Sequence, residues 1–73
     1  MPGTLAHLAM QIRDRRKALG LSQLEVAELA DCSPRFLRAL ETGKRTVRLD
    51  KLLGVLDALG LTCRIDVRRS KVR

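Results

Sequence analysis

Residues 22–41 read SQLEVAELADCSPRFLRALE, and the caps and apolar positions in this stretch decide the fold. Ser22 followed three residues later by Glu25 is the reciprocal pair of a capping box, and good helix formers continue to Ala30. Asp31 and Cys32 interrupt. Ser33-Pro34 then starts again with a cap and a proline at the first helical position, where its missing N–H costs nothing. Val26, Ala27 and Ala30 fall on one face of the first predicted helix, and the small Ala27 lets the next helix approach closely. In the second, Leu37 and Leu40 point to a core, which leaves Pro34, Arg35, Arg38 and Thr42 on the outer face until Gly43 ends it. Two short helices joined by a tight turn are expected here.

Upstream, Leu5, Leu8, Ala9, Ile12 and Leu19 recur at helical period, with Thr4 placed to cap the segment and Gly20 to stop it. Downstream, Leu49, Leu52, Leu53, Leu56 and Leu59 form another amphipathic helix, read as core and ended by Gly60. After Gly60 the period changes to two. Leu61, Cys63, Ile65 and Val67 alternate with Thr62, Arg64, Asp66 and Arg68, which predicts a half-buried strand over residues 61–67. A lone strand leaves its backbone hydrogen bonds unplaced, so the cheapest partner is the same strand of a second copy, giving a symmetric dimer. The alternatives are a strand tucked against its own chain or a frayed end. Residues 68–73 read as a basic tail. The expected architecture is all-α, with four or five helices and one C-terminal β-strand pairing across a homodimer.

With 73 residues the chain allows one domain, 1–73, and a domain this small is marginally stable alone. Fifteen Lys and Arg against eight Asp and Glu leave a net charge of +7, which favours a polyanionic partner. The charge is unevenly placed. Residues 1–19 hold Arg13, Arg15, Arg16 and Lys17 against Asp14, residues 20–34 hold only Glu25, Glu28 and Asp31, and residues 35–51 and 64–73 are basic again. Such zoning is expected where one helix touches phosphates and its neighbour does not, although a solvated pattern that aids solubility would look similar. Lys44, Arg45 and Arg48, in the loop after the second motif helix, suit phosphate contacts.

Several classes are disfavoured. Cys32 and Cys63, far apart and without a hydrophobic signal segment, predict an intracellular, cytoplasmic protein with two reduced, buried thiols. His7 is the sole histidine, so no metal site and no cofactor are expected. Tyr and Trp are absent and Phe36 is the one phenylalanine, which removes the stacking platforms of single-strand and RNA binders. No apolar run is long enough to span a membrane, and the cationic segment 13–17 lacks the aromatics of a surface anchor. An enzyme is not expected, there being no nucleophile and base pair and no phosphate-cradling glycine loop.

Ser22-Gln23, Val26-Ala27, Ser33, Leu37, Leu40-Glu41 and Gly43-Lys44, followed by a leucine-rich helix ending Ala58-Leu59-Gly60-Leu61, resemble the phage-repressor or XRE helix-turn-helix family over about residues 5–61. The strand after the last helix narrows the resemblance to HipB-like antitoxins. Asp31 departs from the family pattern, which commonly has glycine in the turn; aspartate tolerates the left-handed conformation at some cost. Pro34 and Phe36 stand where the family often has polar residues.

The resemblance implies a double-stranded DNA operator as partner, with Gln23 bonding a phosphate and bracing the reading helix. Ser33, Pro34, Arg35 and Arg38 would then face the major groove. Arginine can hold guanine O6 and N7 with two hydrogen bonds, worth roughly 1–3 kcal/mol of discrimination, and Arg35 is the first choice for that role and Arg38 the second. Lys44, Arg45 and Arg48 would hold the backbone. Phe36 reads as core, with a thymine methyl as the alternative. Leu61, Cys63, Ile65 and Val67 would form the dimer seam. Three function classes follow: a HipB-like antitoxin that represses its operon and holds a HipA-like kinase toxin, a stand-alone phage-type regulator, and a basic protein that binds nucleic acid by shape or charge alone.

Overall fold

A computed structural model describes residues 4–43 and 46–64. Among these there are four helices, α1 (Thr4–Ala18), α2 (Gln23–Ala30), α3 (Pro34–Glu41) and α4 (Leu49–Ala58), and no strand. The lower of the two expected helix counts is the one found. Thr4 is the first helical residue of α1, not the cap before it, and the side chain of Leu5 lies outside the described residues.

Local signals set the helix ends. Ser22 Oγ accepts from Glu25 N at 3.0 Å while Ser22 N donates to Glu25 Oε1 at 2.8 Å, so the capping box closes in both directions. Asp31 takes the left-handed conformation at φ 56° and ψ 47°, and the chain reverses there with Cys32 N donating to Ala27 O at 2.9 Å. Two residues on, Ser33 Oγ accepts from Phe36 N at 3.0 Å and Pro34 opens α3. Gly60, at φ +71°, lets Leu61 N reach back to Leu56 O at 2.8 Å and closes α4 in the same way.

The core is Ile12 of α1, Val26 and Ala27 of α2, Leu37 and Leu40 of α3, and Val55, Leu56 and Leu59 of α4, with Ala9 also buried. Helix α2 packs chiefly on α4, and Gly54 makes the approach close: a Cβ there would stand 3.1 Å from Ala30 O. Lys51 on the same side of α4 donates to Asp31 O at 3.2 Å.

Three expectations about burial are corrected. Leu49 is 65% and Leu53 44% exposed, on the side of α4 turned away from Val55 and Leu59, and Leu19 is exposed at the end of α1. The leucine stripe of α4 is wider than the surface it packs on, and Val55 fills the position closest to the core. Cys32 is half-buried and Cys63 is exposed, so the two free thiols are not both in the interior. Residues 61–64 run as coil, with Leu61 half-buried against the helical core and Cys63 outside. Ile65, Val67 and the basic tail 68–73 lie outside the described residues.

Candidate nucleic-acid interface

Packing of Leu37 and Leu40 inward decides what α3 leaves outside. Ser33, Pro34, Arg35, Arg38 and Thr42 are exposed, as expected. No acid lies in the first turn of α3, and Arg35 puts a cation near the positive end of the helix, where an anion is favoured. An isolated helix gains nothing from that placement; an electron-rich acceptor held against Arg35 would offset it. Phe36 is half-buried and serves two surfaces, packing on the core and lining a cleft of about 290 Å³ between α3 and residues 46–48. Ala39 and Val47 share the apolar part of that cleft, while Arg35 and Arg48 bring two cations to its edge.

Arg48 is not free. Its Nε and Nη2 donate to Asp50 Oδ1 and Oδ2 at 3.2 and 2.8 Å, and hydrogen bonding from Arg48 holds the Asp50 carboxyl below the usual carboxylate range. The pair is exposed at both ends and worth little by itself, so a phosphate can compete for the guanidinium. Lys44 and Arg45 lie outside the described residues.

Gln23 is held from behind. Its Nε2 donates to Glu41 Oε1 at 3.1 Å. Glu41 is the one buried charged residue among those described, and its carboxylate is met on both oxygens by Arg16: Nε to Oε2 at 2.7 Å and Nη2 to Oε1 at 3.0 Å. The third nitrogen, Nη1, donates to Leu21 O at 2.9 Å. The carboxylate hydrogen bond keeps the Arg16 guanidinium charged, raising its already high pKa. One ion pair thus ties α1, the α1–α2 junction, the first residue of α2 and the last of α3. Bracing of the reading helix through Gln23 was expected, but the Arg16–Glu41 pair behind it was not. Its signal was present: Arg16 stands four residues after Ile12 and Glu41 four after Leu37, so each helix carries a charge on its core stripe, with opposite signs.

The described residues contain no group of His, Cys, Asp and Glu able to hold a metal, and no helix long and apolar enough to cross a membrane. What the arrangement offers is a braced two-helix unit with an exposed cationic face. A family model described as Helix-turn-helix matches residues 12–65. The chain belongs to this XRE-type helix-turn-helix family. Its residues are 41% identical over 64 positions to a protein of Sinorhizobium fredii named as an uncharacterized HTH-type transcriptional regulator, y4mF, covering 88% of this chain and 82% of that one. The match runs from within α1 through α4 into the segment after it.

Proposed function

We propose that this protein is a sequence-specific double-stranded DNA-binding transcriptional repressor. The observation that carries the reading is the exposed set Pro34, Arg35 and Arg38 on a helix whose far end is fixed through Glu41 to Gln23 and Arg16. A reader of base edges must present arginines on a rigid support, and this one is tied at both ends, by the Ser33 cap and the Glu41 carboxylate. Arg35 and Arg38 read bases, while Gln23, Lys44, Arg45 and Arg48 hold phosphates. Family membership and the name of the Sinorhizobium protein support regulation of transcription as the setting. The role is binding and not catalysis.

Within that reading the protein is a HipB-like antitoxin, acting as a homodimer on a palindromic operator with half-sites roughly 34 Å apart. The alternation from Leu61 to Val67 supports pairing between two copies, and the partner class is a HipA-like kinase toxin. The test of DNA reading is operator selection from a random duplex pool, repeated with Arg35→Ala. Selection of one motif by the parent, with relaxed choice at one position in the variant, is the expected result. An unchanged motif and affinity would remove Arg35 from the reading role. Sedimentation of a chain truncated after Gly60 tests the seam, since monomers are expected and a persistent dimer would overturn it.

A further inference from the structure

DNA binding as proposed above uses the cleft between α3 and residues 46–48 only at its edge. The floor is apolar, made by Phe36, the one aromatic residue of the chain, with Ala39 and Val47. The edge is cationic: Arg35 and Arg48 both line the cleft, and no acid lines it among the described residues. Ser33 brings the positive end of α3 to the same place. Arg35 makes no hydrogen bond or ion pair among the described residues, whereas Arg48 already holds a carboxylate, that of Asp50, through two nitrogens.

These features set the chemistry of an occupant. At about 290 Å³ the space stands at the lower end of small-molecule pockets. A thymine methyl would leave most of it empty, and a phosphate would leave the floor uncovered. A flat apolar body carrying one carboxylate satisfies both parts, with its ring against Phe36 and its charge on a guanidinium that can match it with two parallel hydrogen bonds. Asp50 shows that Arg48 takes a carboxylate in this way. Because that pair is exposed at both ends and worth little, exchanging it for a ligand's carboxylate costs little.

We propose that this cleft binds a small aromatic carboxylate and that the bound molecule competes with DNA. The competition rests on the DNA-binding reading above, in which Arg35 reads a base and Arg48 holds a phosphate; the binding of the carboxylate does not. A ligand that occupies these guanidiniums withdraws them from the duplex and sets a negative charge where a phosphate has to approach. It is a release signal placed inside the reading face.

The experiment titrates phenylacetate into the full chain and follows backbone amide chemical shifts. Phenylacetamide, with the ring and no charge, and acetate, with the charge and no ring, are titrated beside it. Phenylacetate is expected to give saturable shifts at Phe36, Ala39 and Val47 with a midpoint on the order of 1 mM for a ligand of its size, and the other two a response weaker by about tenfold or more. At ten times that midpoint, affinity for a random-sequence duplex should fall about tenfold relative to the same concentration of acetate. Ala39→Leu, which fills the floor, should lose both the shifts and the competition, and the three probes on the parent decide the matter if that variant does not fold. No saturable shifts at the three residues, or equal midpoints for phenylacetate and phenylacetamide, would overturn the site. Cleft shifts with unchanged duplex affinity would overturn the competition. A parent that binds no duplex at low salt would overturn the DNA-binding reading, with the amide shifts still deciding the site.

Discussion

Arg16 Nε lies 2.7 Å from Glu41 Oε2, with the two side chains only 12% and 4% exposed. Twenty-five residues separate them in sequence, and the pair closes the helix-turn-helix against α1. Removing one partner of a buried pair strands the other charge and costs about 3–5 kcal/mol, against roughly 4–11 kcal/mol available to a chain of this size. Arg16→Met and Glu41→Leu are each expected to lower the urea midpoint severely. The combined Arg16→Met/Glu41→Leu variant should regain most of it. Because it also removes the acceptor of Gln23 Nε2, its DNA affinity should stay below the parent's even with the fold restored. Recovery of both would show that the pair serves packing alone.

Asp31 sits at φ 56° in the turn between α2 and α3, and no hydrogen bond from its side chain supports it there. Its backbone carbonyl, which any residue would supply, is what Lys51 holds. Asp31→Gly is therefore expected to stabilise by about 0.5 kcal/mol, the relief of left-handed strain being partly offset by the freer unfolded chain. Asp31→Ala should destabilise by about 1 kcal/mol, since alanine lacks aspartate's tolerance of this region. Thermal unfolding of the two variants checks the order, and an Ala variant as stable as the Gly variant would refute the backbone argument.

The thiols should separate by reactivity. Burial raises the Cys32 pKa above its ordinary 9.0, against the attraction of Lys51, whereas Cys63 is exposed beyond the last helix. Alkylation at neutral pH, followed by mass spectrometry, is expected to label Cys63 well before Cys32, whose labelling should track opening of the fold. The sign of the linkage is fixed by the raised value. A folded state that keeps its proton longer has this contribution intact below about pH 9 and loses it as pH rises through the folded pKa. Cys32→Ala should therefore flatten the alkaline fall in stability, and equal slopes in the two proteins would contradict it.

Both helix starts of the motif were legible because they are local: Ser22 needs Glu25 and Ser33 needs Pro34, each within three residues. The left-handed turn at Asp31 was implied by the family resemblance and not by a local signal. Side-dependent facts were harder to read. Leucine counts as apolar wherever it stands, so Leu49 and Leu53 read as core although only the placement of α2 decides which side of α4 is covered. The Arg16–Glu41 pair was missed because each charge shows on its own core stripe but nothing local links two residues 25 apart. Among the proposed binding residues, the exposure of Arg35 and Arg38 followed from Leu37 and Leu40, whereas the restraint of Arg48 by Asp50 is a matter of rotamers.

Gly54 gives the most direct test of how α2 and α4 set the motif in place. A mid-helix glycine normally costs up to about 1 kcal/mol relative to alanine, so Gly54→Ala would stabilise α4 taken alone. In the folded chain the new methyl meets Ala30 O at 3.1 Å, a backbone atom in the last turn of α2 that can yield only if the turn through Asp31 moves with it. The two effects are of similar size, and Gly54→Ala is expected to fall within about 1 kcal/mol of the parent. Gly54→Val adds two further methyls and forfeits the helical gain, so it should destabilise by about 2 kcal/mol or more. Denaturant midpoints for the pair measure the difference. A valine variant as stable as the alanine one would mean that α2 and α4 do not approach as closely as the Ala30 carbonyl requires.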